Sequence, residues 1–299
     1  MASHVDALNT TFGLEGKINF TENKGLVKLS AHTKFSKLEC YLHGAHITSF
    51  IINNAEELLW LSPMAIFAKE KAIRGGIPIC WPWFGKHPSN STLQQHGFAR
   101  NCIFDVKVTK ELENGDLQIV LSLTANEATL KVWPYHFCLE LRITAGLSLS
   151  VELVTRNLDK KVFSIAEAIH SYFNVSDISN ISLNGLQGTP YYDQLVDKDF
   201  LQTDLNCTFT SETDRIYQAP GNDILLLQNN APKIRIEQEQ GDAVVVWNPW
   251  IDKSKSMSDF PDAGYKNMLC VEAANARYAA IELAPGESHA IKQTISLFI

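Results

Sequence analysis

The sequence predicts an all-β protein, a large antiparallel β-sandwich, and three observations carry that prediction. Apolar residues alternate with polar ones over long stretches. Leu139, Leu141 and Ile143 are interleaved with Glu140, Arg142 and Thr144, and Leu147, Leu149 and Val151 with Ser148, Ser150 and Glu152. A period of two is that of a strand with one face buried. Turn signals separate such runs: Asn114-Gly115 in ELENGDLQIVLSLT and Ala145-Gly146 between the two runs just quoted. Asn-Gly supplies the positive φ angles that a two-residue hairpin turn demands. Finally, no segment sustains a helical stripe for long.

Further strands are expected at residues 25–30, 38–52, 103–109, 162–173, 181–186, 233–238, 243–247, 268–273 and 289–298. Residues 192–200 suit a short turn, and the polar, turn-rich stretch 253–266 reads as a loop between strands. Many short strands with turns between them stack as sheet on sheet. The chain shows no repeat of fixed period, no low-complexity tract and no Gly/Ser linker. Residues 1–299 are therefore expected to form one domain, since all-β units often run to roughly 200–250 residues.

Composition is that of a globular protein, with 45% hydrophobic and 20% charged residues and a formal net charge of −7. That sign argues against nucleic acid or an anionic membrane as the main partner. The six cysteines contain no C-x-x-C pair and read as reduced, mostly buried thiols. The first residues carry no apolar leader, and no apolar run approaches membrane-spanning length. A cytoplasmic protein is expected.

Against this acidic background, Lys71 to Arg100 stands out. Its thirty residues hold Lys71, Arg74, Lys86 and Arg100 and no acid, together with Pro78, Pro82, Trp81, Trp83 and Phe84. The prolines rule out a regular helix or central strand. An arginine fork suits bidentate contact with phosphate or carboxylate. A basic loop in solvent has the same charge count but no use for three large aromatics, which could also be simple core. No Walker loop and no G-x-G-x-x-G opening a helix is present, so a small phosphorylated molecule is the favoured anion.

His43 and His46, three apart on an expected strand, would face opposite sides and lack a nearby thiolate or carboxylate, so no metal site is expected there. His96 lies within the basic segment. His170 sits in the apolar stretch FSIAEAIHSYFNV, where a lone histidine is usually a satisfied core residue. Its best partner is Glu272 in NMLCVEAANA, because a carboxylate in apolar surroundings is costly unless paired. Asp193 in GTPYYDQL sits at an aromatic turn, where a simple turn role would serve equally well. Glu167, three before His170, should face away from it.

Taken together, RGG-x-P-x-x-W-P at 74–82, FGK at 84–86, QHGFAR at 95–100, HSYFNV at 170–175, YYDQL at 191–195, WNPW at 247–250 and the Glu272 strand resemble the hexose-6-phosphate mutarotases, the phosphosugar branch of the aldose 1-epimerase superfamily. The resemblance runs in order from about residue 26 to the end; the first twenty or so residues match nothing in it. It implies the galactose mutarotase-like supersandwich and interconversion of the α and β anomers of a hexose 6-phosphate, glucose 6-phosphate first among them. It further implies His170 as general acid and Glu272 as general base on opposite sides of the sugar. Arg74, Lys86 and Arg100 would recognise phosphate, and Gln95, His96 and Asp193 would contact the sugar. The aromatic loop 81–84 would be the sugar platform. No metal or cofactor is implied, and a monomer is expected. Two other readings share most of these residues: an epimerase of free aldoses, and a non-catalytic sugar-phosphate-binding protein.

Overall fold

A computed structural model describes residues 3–52 and 56–298 of the chain. Every strand pairing in it is antiparallel, and two large sheets dominate. The nine-stranded sheet is built around Leu117–Thr124, Phe137–Ala145, Ser148–Asn157, Ser288–Leu297 and Ala231–Glu239. Its hairpin strands bury every second residue: Phe137, Leu139, Leu141, Ile143 and Ala145 on one, Leu149, Val151 and Leu153 on the next. The period read from the sequence is thus the packing pattern of the core. A four-stranded sheet from Ile18 to Ile52 completes one end.

The eight-stranded sheet runs in the order Lys198–Leu201, Pro190–Asp193, Thr213–Gln218, Ala243–Asn248, Met268–Asn275, Glu167–Ile169 and Ile79–Cys80, with Tyr172–Asn174 also paired to Met268–Asn275. Met268–Asn275 is buried at every position, so both of its faces are covered. Tyr217, Val244, Val246, Val271 and Ala273 pack into the main core. The alternate residues on the same strands face outward, and there they form the floor of a cleft.

Several expectations need correction. The run 38–52 is two strands, Ser36–Tyr41 and His46–Ile52. They are joined by a turn in which Gly44 takes φ +73 and Ala45 φ +47, left-handed conformations incompatible with a continuous strand. Residues 162–173 divide into three short strands. Residues 192–200 are not a lone turn but part of a hairpin between Pro190–Asp193 and Lys198–Leu201. The stretch expected as a loop after residue 253 begins inside the helix Trp250–Ser256. At the start of the chain, helix His4–Phe12 is capped by Ser3 and held by Asn9, whose side chain bonds both Phe20 N and Phe20 O.

Candidate active site

The basic segment owes its position to backbone contacts that exclude side chains. A Cβ on Gly76 would lie 2.2 Å from the Ile47 carbonyl oxygen, and Gly76 has φ +63. Only glycine tolerates that approach, and it lays the Arg74 loop against strand His46–Ile52. His43 and His46 serve the same purpose, their Nε2 atoms 2.7 Å from the carbonyl oxygens of Lys71 and Gly75. Burial lowers the His46 pKa to about 3, so its ring is neutral and anchors backbone.

The aromatic part of the segment differs from expectation. Trp81 and Trp83 are buried. Trp81 packs on Phe98, Trp133 and Phe137 and donates through Nε1 to Thr155 Oγ1 at 2.9 Å, while Trp83 donates to Gln94 O. They are core, not sugar platform. Phe84 alone of the three lines the cleft, joined there by Trp247 and Tyr172 from other strands.

The cleft has a volume of about 880 Å³. Its floor is a row of registered neighbours across four strands: Tyr192, Ile216, Val245 and Glu272. Beside it runs a second row, Asp214, Trp247, Cys270 and Tyr172. Five cations line the walls, Arg74, Lys86, Arg100, Lys253 and Arg277, against two acids, Asp214 and Glu272. A protein of net charge −7 thus presents a positive cleft.

His170 and Glu272 meet at the bottom. His170 Nδ1 lies 3.3 Å from Glu272 Oε1, with both side chains buried. The approach lacks hydrogen-bond alignment, and His170 Nδ1 and Glu272 Oε2 find no hydrogen-bond partner. The imidazole is held instead by stacking: its ring is parallel to Tyr172 within 6° at 4.8 Å, with His96 and Trp247 edge-on. Burial holds His170 well below its ordinary pKa, and the neighbouring His96, Arg100 and Arg74 add to this. Burial likewise lifts Glu272 well above the carboxylate range, reinforced by Asp214 and opposed by Arg100. Both effects favour uncharged groups, so the pair holds one proton between them.

Arg74 donates Nε to both carboxylate oxygens of Asp259 at 3.2 Å and Nη1 to the Tyr172 hydroxyl. Arg100 donates to Gln95 O, and its Nε is buried and unpartnered. His96, at φ +65, is lowered to a pKa of about 3 by burial and by Arg100 and Arg74, which leaves a neutral ring facing the cleft. Lys86 and Gln95 stand at the exposed rim.

Seven of the eight residues expected from sequence therefore line one cleft; Asp193 does not. It is registered against Arg215 on the opposite face of the sheet, 3.8 Å from Arg215 Nε, and accepts from Leu195 N. Its chain neighbours Tyr192 and Gln194 face the cleft, as period two requires. The acid that does is Asp214, which accepts from Gln194 Nε2 and is raised to a pKa of about 6, chiefly by burial. Sequence reasoning missed it because strand Thr213–Gln218 was not anticipated. Its alternation with Ile216 in TDRIYQ was the available signal. Lys253 and Arg277 were also missed.

The fold and this cleft define a class, the sugar-epimerising β-sandwiches, and the family model for aldose 1-epimerase matches residues 26–296. The chain belongs to the aldose 1-epimerase family. Among its relatives is a protein of Cenchrus ciliaris named "Putative glucose-6-phosphate 1-epimerase", 43% identical over 83% of this chain and 78% of that one. One of the same name from Salmonella typhimurium is 39% identical over 85% and 84%. A crystal structure of a "putative mutarotase (YeaD)" from Salmonella typhimurium superimposes with a TM-score of 0.89 at 34% identity, over 96% of this chain and 95% of that chain. The family match begins after the helix His4–Phe12 and the strand Ile18–Asn23, which pairs with Leu26–His32.

Proposed function

We propose that the protein interconverts the α and β anomers of a hexose 6-phosphate, glucose 6-phosphate foremost, by acid–base opening and reclosure of the sugar ring. The observation that carries this reading is the buried His170–Glu272 contact at the foot of a cleft ringed by cations. Mutarotation needs a proton delivered to the ring oxygen and another removed from the anomeric hydroxyl. Both oxygens hang on one carbon, so acid and base must be close neighbours. The pair stands side by side, 3.3 Å apart at its nearest atoms, an arrangement that suits two geminal oxygens.

In the opening step His170 gives its proton to the ring oxygen while Glu272 takes the hydroxyl proton. Rotation about C1–C2 exposes the other face of the aldehyde, and the roles reverse for closure. The working form, imidazolium beside carboxylate, holds the same single proton as the neutral form. It is reached by a proton shift within the pair, without uptake from solvent. Arg74 and Arg100 oppose the imidazolium; a bound phosphate offsets their charge and so favours the proton on His170. Phosphate recognition and acid strength are coupled in this way. Arg100 with its unpartnered Nε, Arg74 and Lys86 supply the phosphate contacts, and Gln95, His96 and Asp214 the sugar contacts. Stacking by Tyr172 fixes the acid. The chemistry is proton transfer throughout and asks for no nucleotide or electron carrier.

The same reading takes residues 1–299 as one domain, working as a monomer in the cytoplasm. Strands from Ile18 to Leu297 contribute to the paired sheets, and no described helix is long and apolar enough to cross a membrane.

Anomer exchange measured by NMR tests the proposal. Wild-type protein should accelerate exchange of glucose 6-phosphate far more than that of free glucose, and His170→Ala should abolish the acceleration. Arg100→Ala should raise KM for the phosphosugar roughly 10–100-fold, the worth of a charged hydrogen bond, and leave free glucose little changed. Equal loss on both sugars would favour the free-aldose reading. No acceleration of either would remove the enzyme.

A further inference from the structure

We infer that Cys270, His170 and Glu272 form a binding site for a thiophilic divalent cation such as zinc, and that an ion there inhibits the protein by occupying both catalytic groups. The inhibition rests on the acid–base role just proposed; the binding does not.

The three donors come from adjacent strands. Cys270 and Glu272 are two apart on Met268–Asn275 and so share the cleft face. His170 follows Glu167–Ile169, which pairs with that strand. One donor atom from each, thiol sulfur, imidazole nitrogen and carboxylate oxygen, lies within 4.8 Å of the other two. Around a tetrahedral zinc, with bonds of about 2.3 Å to sulfur and about 2.0–2.1 Å to nitrogen or oxygen, such atoms stand roughly 3.3–3.6 Å apart. The difference is within reach of side-chain rotation at Cys270 and Glu272.

Two buried atoms already await a partner, His170 Nδ1 and Glu272 Oε2, and an ion would satisfy them. All three residues are buried, yet His170 and Glu272 border the cleft, which leaves the fourth coordination position open to water or a sugar oxygen. Thiolate, imidazole and carboxylate together select a borderline-soft metal over magnesium or calcium.

Arg74 and Arg100 carry the same sign of charge as the ion, but the exchange is neutral. The thiol of Cys270 loses its proton, and the His170–Glu272 pair loses the one it shares. Two protons leave as one dication enters, as metal binding to protonated ligands requires. The buried charge beside the guanidiniums does not change.

The test uses chelator-stripped full-length protein and two metals. Cobalt(II) added to wild type should give a thiolate-to-cobalt charge-transfer band. That band should persist in Cys80→Ser, the other buried thiol beside Glu272, and vanish in Cys270→Ser. Zinc should inhibit wild-type mutarotation reversibly on chelation, and Cys270→Ser should keep metal-free activity while needing about 100-fold or more zinc for half-inhibition, at least the loss seen when outer-shell partners are removed. Should the serine variant not fold, Cys270→Ala carries the same expectation. Absence of the band in wild type, or its survival without the Cys270 thiol, would overturn the site. A band in a protein that accelerates no sugar exchange would uphold the metal site and reject the enzymatic reading.

Discussion

Two histidine–glutamate contacts of nearly equal length lie on opposite faces of the same pair of strands, and their surroundings differ. On the cleft face His170 and Glu272 approach to 3.3 Å. On the inner face, His289 Nε2 lies 3.2 Å from Glu167 Oε1, with Glu167 fully buried. The inner contact is knitted into the sandwich. Asn275, registered opposite Glu167, donates to Glu167 Oε1 and lies 3.0 Å from His289 Nε2, while its own oxygen accepts from Asp242 N. The cleft contact has no such bridge; its rings are stacked and its polar atoms left open to whatever enters. A buried acid beside a histidine is therefore no mark of a site. Glu167 Oε2 is unpartnered too, and His289 is no more buried than His170; what distinguishes the cleft pair is its place on a cavity large enough for a ligand and lined by cations.

The largest test of this contrast exchanges each acid for its amide. Glu272→Gln should reduce kcat about 10²–10⁴-fold, the usual worth of a positioned acid–base group, with the circular dichroism of the fold unchanged. Glu167→Gln should leave kcat near the wild-type value. Comparable activity losses would show that the inner contact also serves the reaction and would break the comparison.

The next effect runs the other way, on stability. Truncating Glu167 to alanine leaves His289 and Asn275 without their shared acceptor, and orphaning such groups costs about 1–3 kcal/mol. Glu272→Ala removes a carboxyl that no amide bridges as Asn275 bridges Glu167, and should cost less. Urea midpoints at constant m-value read both. A larger loss for the cleft residue would mean that its burial supports the fold.

How much of this was legible in the sequence follows the same line between packing and chemistry. Strands of period two, such as Phe137–Ala145 and Ser148–Asn157, announced themselves because one face must be apolar. Glu167 and His170 were placed on opposite faces by spacing alone, correctly. Asp193 was misassigned, and Asp214 missed, because the face a polar residue takes depends on register with neighbouring strands, and a strand with few apolar residues gives weak period. Trp81 and Trp83 were misread because an aromatic side chain serves a core and a sugar equally well; only the neighbours decide. The side-by-side geometry of His170 and Glu272 depends on pairing between segments about a hundred residues apart, which no local pattern records.

The smallest effect sharpens the comparison electrostatically. Asp214 lines the cleft, and its negative charge helps to raise Glu272. Asp214→Asn removes that charge, so the Glu272 carboxyl should ionise more readily and the acidic limb of the kcat/KM profile should move to lower pH. The substitution also reports on folding. Asp214 has a folded-state pKa of about 6 against an ordinary 3.8, so its native form holds its proton more tightly than the unfolded chain does. Its stabilising contribution is complete below about pH 4 and lost as pH rises through 6. Above that pH the ionised, partly buried carboxylate weighs against the native state, and an asparagine that cannot ionise should be the more stable by about 2 kcal/mol or less. Below pH 4 that advantage should disappear. A pH-independent difference in stability, with an unmoved acidic limb, would mean that Asp214 stays charged or lies too far away to tune Glu272. The rise of Glu272 would then come from burial working against the opposing charge of Arg100, without help from Asp214.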